Sequence, residues 1–245
     1  LGDVYKRQEI PQDTEAAAFF DVDNTLIQGS SLILLAQGLF KKRFITLSEL
    51  APALRKQIRY RVSGSENADD IAEGREQALA VVKGKSVAEL KQACREIVDN
   101  RMLEKSYADT IELAAMHLAA GQQVWLVSAT PVQIGQALAE TLGFTGALGT
   151  VAEEKDGKFT GRLVGDILHG PGKKHAVAAL AALQQLDLSK CTAYSDSIND
   201  LPMLEMVGSP VAINPDRALR KHAKAQGWAV RDYRSVRRVV RAGAV

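Results

Sequence analysis

The chain has 245 residues, 46% of them apolar, which suffices for one large or two small domains with a proper core and excludes a disordered polypeptide. Its 31 Lys and Arg against 29 Asp and Glu leave a net charge of +2, which removes the general case for nucleic-acid binding. Cys94 and Cys191 lie far apart without metal-type spacing and read as buried thiols of a cytoplasmic protein. The longest apolar stretch, Leu32 to Phe40, falls well below the roughly 20 residues that span a bilayer.

Residues 1–8 read as a non-native leader of the kind found at the ends of assembled environmental sequences and are set aside. The run from Ala16 to Val22 predicts a buried strand that ends on two carboxylates, Asp21 and Asp23. Four helices follow, over Ser31 to Lys42, Leu47 to Val62, Ala68 to Val82 and Val87 to Leu103, enough for a small bundle. A helix from Tyr107 to Ala120 stops at Gly121; a strand spans Gln123 to Val127, and another helix starts near Pro131. Asp156-Gly157 marks a hairpin within Gly149 to Val164. Then come a helix from Lys173 to Leu186, a strand from Cys191 to Tyr194, a helix start at Leu201-Pro202 and a strand from Pro210 to Ile213. From Arg217 onward nine Lys or Arg face one acid, Asp232, so this end reads as a solvated, partly frayed tail, with contact to an acidic membrane as the weaker reading.

Strands alternating with helices predict an α/β fold, a parallel sheet covered on both faces, with the helical block as an insertion. Ligands of such sheets bind beyond the carboxyl ends of the strands. Asp21 with Asp23, Ser128, Lys173, and Asp196 with Asp200 fall at or near those ends. Each has an ordinary reading alone: an Asx turn, a helix cap, a surface lysine, a turn residue. Two carboxylates one residue apart would repel, so a cation or shared proton is expected between them, and magnesium suits carboxylate oxygens. Together the residues suit phosphoryl transfer, with a carboxylate nucleophile, a second acid, a hydroxyl, a lysine and a metal.

Asp21-Val-Asp-Asn-Thr25, Ser128, Lys173 and Ser195-Asp-Ser-Ile-Asn-Asp200 together resemble the four motifs of the haloacid dehalogenase superfamily, and their spacing resembles its subfamily IB, the group of the phosphoserine phosphatases. The resemblance, with wording similar to actinobacterial members, implies a Rossmann-like core over 9–29 and 106–235, an inserted all-helical C1 cap over 30–105, and a basic tail at 236–245. It implies Asp21 as nucleophile, Asp23 as general acid and then base, and Ser128 and Lys173 as phosphate-binding groups. Magnesium would be held by the Asp21 carboxylate, the Asp23 carbonyl and the Asp196 carboxylate, with Asn199 and Asp200 supporting that loop. The change from Gly to Ser195 in the last motif is expected to matter little.

The function implied is a Mg2+-dependent phosphomonoester phosphatase acting through an aspartyl-phosphate on a small phosphorylated metabolite. Phosphoserine phosphatases usually carry Glu nine residues after the nucleophile, where this chain has Ser30, and read Asp-Ser-Thr where it has Asp23-Asn24-Thr25. The missing carboxylate removes a contact worth roughly 1.5–3 kcal/mol to a substrate ammonium. Phosphoserine phosphatase proper is therefore an alternative, as is a non-catalytic phosphate-ligand sensor or scaffold. A phosphomutase stays open, while dehalogenases have no need of the second acid that Asp23 supplies.

Overall fold

The computed structural model describes residues 10–46, 48–49 and 78–233. In chain order the elements are β1 (Ala17–Asp21), α1 (Ser31–Lys41), α2 (Val87–Ile97), α3 (Ala108–Ala119), β2 (Gln123–Pro131), α4 (Val132–Leu142), β3 (Gly146–Thr150), β4 (Ala152–Lys155), β5 (Lys158–Leu163), α5 (Pro171–Gln184), β6 (Thr192–Ser195), α6 (Leu201–Leu204), β7 (Ser209–Ile213), α7 (Arg217–Ala225) and β8 (Ala229–Arg231). Six strands form one sheet in the order β3-β2-β1-β6-β7-β8. All of its pairings are parallel.

β1 is apolar throughout because both of its faces are covered. Ala18 and Phe20 pack into the cluster that holds Leu113, Ile134 and Leu138 of α3 and α4. Ala17 and Phe19 pack into the opposite one, with Val177, Met203 and Leu219 of α5, α6 and α7. The chain leaves β1 toward β2 and β3, then returns past β1 to start β6 on its other side. The carboxyl end of β1 is thus the switch point where such sheets bind ligands.

In the described parts of the insertion between β1 and β2 the helical pieces are α1, residues 48–49 and 78–82, and α2 with the turns that follow it. Most of the expected helix Leu47 to Val62 and of Ala68 to Val82 lies outside the described residues. The helix expected to reach Leu103 is α-helical only to Ile97 and continues as a π turn over Val98–Met102. There the Asn100 amide donates to the Glu96 carbonyl at 2.7 Å, competing with the helical ladder.

Three further differences have physical causes. β2 continues past Val127 to Pro131, so Ser128 sits in the strand. The edge strand β3 escapes the pattern because its two glycines weaken strand propensity; a Cβ on Gly149 would lie 2.6 Å from the Val132 Cα, so close approach demands glycine there. The reading of a frayed tail from Arg217 is corrected, since α7 and β8 occupy 217–231. Asp216 caps α7 by accepting the Leu219 N–H at 2.7 Å, and β8 pairs with β7. The hairpin forms as β4 and β5, with Asp156 and Gly157 at φ of 51° and 74°, as a two-residue turn of this hand requires. Among the described residues no helix is long and apolar enough to cross a membrane.

Candidate active site

Asp21 is the last residue of β1 and 6% exposed. Its partner in the β2 register is Val127, so Ser128 stands one residue beyond it at the same edge. On the other side Phe20 pairs with Tyr194, which brings Ser195 and Asp196 to that edge as well. Lys173 enters from α5. Pro171 opens that helix with its φ pre-set and no N–H to lose, and Lys173 follows in the first turn, 4% exposed.

The lysine joins two carboxylates. Its Nζ donates to Asp21 Oδ1 at 2.5 Å and to Asp200 Oδ2 at 2.7 Å. Ser195 Oγ donates to the same Asp200 Oδ2 at 2.7 Å. Lys173 thus lies between Asp21 and Asp200. Asp23 turns instead to Ser31, whose N–H donates to Asp23 Oδ1 at 2.9 Å and whose hydroxyl donates to the same oxygen.

Ser128 does not cap a helix. Its hydroxyl pairs with the Thr130 hydroxyl at 2.8 Å and accepts the Thr130 N–H at 3.2 Å. Asn199 is exposed and contributes its N–H to Ser197 Oγ at 3.3 Å. The loop after β6 is held chiefly by Asp216, which accepts the Ile198 N–H at 2.9 Å and donates its own N–H to the Asp196 carbonyl at 2.7 Å.

Sequence reasoning missed Ser31, Thr130 and Asp216 and undervalued Ser195, which is fully buried on Asp200. Only Thr130 carried a signal, a second hydroxyl two residues from Ser128 at a strand end.

Electrostatics set the state of this cluster. Burial pushes the Asp21 carboxyl up to about 8, with the charges of Asp200 and Asp196 adding to the rise and Lys173 opposing it. Burial likewise lifts Asp196 to about 6, against a hydrogen bond from Asn24. Burial alone would lower the Lys173 ammonium, yet Asp21 and Asp200 hold it above the usual lysine range. One ammonium thus serves the carboxyl groups of Asp21 and Asp200 with Asp196 nearby, and burial holds Asp21 and Asp196 toward their protonated forms.

Among the described residues no three His, Cys, Asp or Glu side chains form a metal cage. Magnesium does not require one, since it accepts one or two carboxylates and keeps several waters. Asp21 and Asp196, short of positive charge at the sheet edge, are a donor set that fits it.

A family model for haloacid dehalogenase-like hydrolases matches residues 18–205. The chain belongs to that family. It is 53% identical over 233 residues to a phosphoserine phosphatase of Mycobacterium tuberculosis, covering 95% of this chain and 76% of the relative. It is also 32% identical over 221 residues to a histidinol-phosphatase of Neisseria meningitidis, covering 89% and 98%. A crystal structure of a protein of unknown function from Bordetella pertussis superposes with a TM-score of 0.76 at 30% identity, covering 90% of this chain and 99% of that one. The chain sits among the phosphatase members of its family.

Proposed function

We propose that this enzyme is a magnesium-dependent phosphomonoesterase that acts on small phosphorylated metabolites through an aspartyl-phosphate on Asp21. The observation that carries the reading is the buried contact of Asp21 with Lys173, at the sheet's switch point. An ammonium there orients the carboxylate and neutralises an incoming phosphoryl group.

In this reading an Asp21 oxygen attacks phosphorus and the bond from phosphorus to the ester oxygen breaks. Asp23 gives its proton to the departing alkoxide. The Asp23 carboxylate then takes a proton from water, whose oxygen attacks phosphorus as the bond to Asp21 breaks, releasing phosphate and restoring both residues. Ser128 and Lys173 hold phosphoryl oxygens; Asp200 holds Lys173, and Ser195 holds Asp200. Magnesium bound by the carboxylates of Asp21 and Asp196 and the carbonyl of Asp23 would supply further positive charge against the phosphoryl oxygens. Segment 30–105 serves as the cap and 9–29 with 106–235 as the core. Two buried, free cysteines, Cys94 and Cys191, suit a cytoplasmic enzyme.

Two relatives with different substrates in their names leave the leaving group to the cap, so specificity is read from assay. Phosphoserine is favoured by the Mycobacterium relative, whereas Ser30 offers no carboxylate to an ammonium. The test is phosphate release with magnesium from a panel that includes phosphoserine, histidinol phosphate and simple alkyl phosphates. Turnover should fall by about 10⁴-fold or more in Asp21→Asn. Unchanged activity in that variant would refute the mechanism, and equal rates on all esters would refute phosphoserine specificity.

A further inference from the structure

Among the described residues Asp23 is gripped at one oxygen only. Both donors on Oδ1 come from Ser31, the first residue of α1, which is 1% exposed. Among the described residues Oδ2 accepts no hydrogen bond. The loop between them is built to return the chain to this point. Asn24 adopts φ of 54°, its N–H donates to the Ile27 carbonyl at 2.7 Å, and the Ile27 N–H donates to the Val22 carbonyl at 2.9 Å. The Gly29 N–H then donates to Asn24 Oδ1 at 3.0 Å, just before Ser31. These bonds close a tight turn whose end meets the residue two after Asp21.

We infer that Ser31 is a positioning residue that anchors Asp23 Oδ1 and so presents Oδ2 as the oxygen that exchanges a proton with the substrate, an inference that rests on the reaction proposed above. A carboxyl oxygen that already accepts two hydrogen bonds is a poor place for a proton, because the new O–H would point at an N–H and an O–H. Oδ2 is therefore the oxygen left to give or take one. An unanchored aspartate also spreads over several side-chain rotamers, of which few aim an oxygen at the ester. The N–H of Ser31 survives any substitution at this position other than Pro, so the hydroxyl can be tested alone.

The decisive measurement is kcat/KM of the full chain with magnesium on two esters, β-glycerophosphate and p-nitrophenyl phosphate. An alkoxide needs a proton to leave and p-nitrophenolate does not. Ser31→Ala and Ser31→Val should each lower kcat/KM on the alkyl ester by about tenfold or more, and on the aryl ester by less than about threefold. Ser31→Thr, which keeps the hydroxyl at nearly the bulk of Val, should restore the alkyl rate. In an Asp23→Asn background Ser31→Ala should cost nothing further. The ratio of the two rates within one preparation does not depend on how much of it is folded. Equal losses on both esters, no loss on the alkyl ester, or no rescue by Thr would overturn the role of Ser31 while leaving the proposed reaction in place. A wild-type enzyme inactive on both esters would overturn the reaction and this inference with it.

Discussion

Lys173 Nζ lies 2.5 Å from Asp21 and 2.7 Å from Asp200, so one ammonium bridges two buried carboxylates. Asp200 therefore shares the ammonium with Asp21 and fixes its place. Ser195, buried against Asp200, holds the third corner of the arrangement.

Removing the ammonium should damage both chemistry and stability. Lys173→Ala leaves two buried carboxylates without a cation, a loss of about 3–5 kcal/mol when one partner of a buried pair is deleted. The activity should fall by about 10²–10³-fold, as for loss of one preorganised donor. Thermal melts and phosphate release check the two effects; a variant as active as wild type would contradict the role of Lys173.

Magnesium affinity should rise with pH. Asp21, lifted to about 8, and Asp196, lifted to about 6, must lose their protons before they hold the ion. Each proton released adds about tenfold in affinity per pH unit. The sign for the metal-free protein is the reverse. A carboxyl raised by folding contributes stability that is fully present below its ordinary value and is lost as pH rises through about 8. The metal-free melting temperature should drift down across that window, while calorimetry in two buffers of different ionisation enthalpy detects the protons; a flat affinity would contradict the assignment of these ligands.

Acid should weaken the fold through His117. Gln122 gives its amide N–H to the Pro11 carbonyl at 2.9 Å, so its own carbonyl faces His117 Nδ1 at 2.7 Å. Nδ1 thus carries the proton, and Nε2 accepts from the Tyr194 hydroxyl at 2.7 Å. Burial keeps the ring neutral by lowering its pKa, against the Gln122 hydrogen bond. A depressed value contributes stability above the unfolded pKa, near 6.5, and loses it as pH falls through the folded value. His117→Gln should cost about 1–3 kcal/mol at neutral pH by stranding buried partners, yet soften less on acidification. Melting curves on both proteins across the acid range decide this.

Gly149→Ala should fail locally. The new Cβ would lie 2.8 Å from the Val132 nitrogen and 2.9 Å from the Thr130 carbonyl, both backbone and unable to yield cheaply. A cost of about 1–3 kcal/mol is expected, with a raised KM because the end of β2 that carries Ser128 and Thr130 must shift. Wild-type KM at reduced stability would show that this end of β2 does not position those hydroxyls.

Much of the molecule was determined by local pattern. The apolar run before Asp21, the Asp156-Gly157 turn and the alternation of strands with helices depend on neighbours within a few residues, so they were legible in order. Asp21, Asp196 and Asp200 were legible because each lies at or just beyond a strand end, where a parallel sheet gathers its ligands, and Ser128 because it follows the apolar run that ends at Val127. Lys173 was legible as a position but not as a buried one. What only the tertiary structure decided is which groups meet. Lys173 reaches Asp21 across 152 residues and Ser31 turns back to Asp23, while Asp216, just after β7, reaches back to the loop after β6. Such contacts depend on where the chain returns after its turns and insertions, and no short-range periodicity encodes that. The edge strands β3 and β8 were hidden for the same reason, since a strand one face wide is made by its neighbour's unpaired backbone as much as by its own residues.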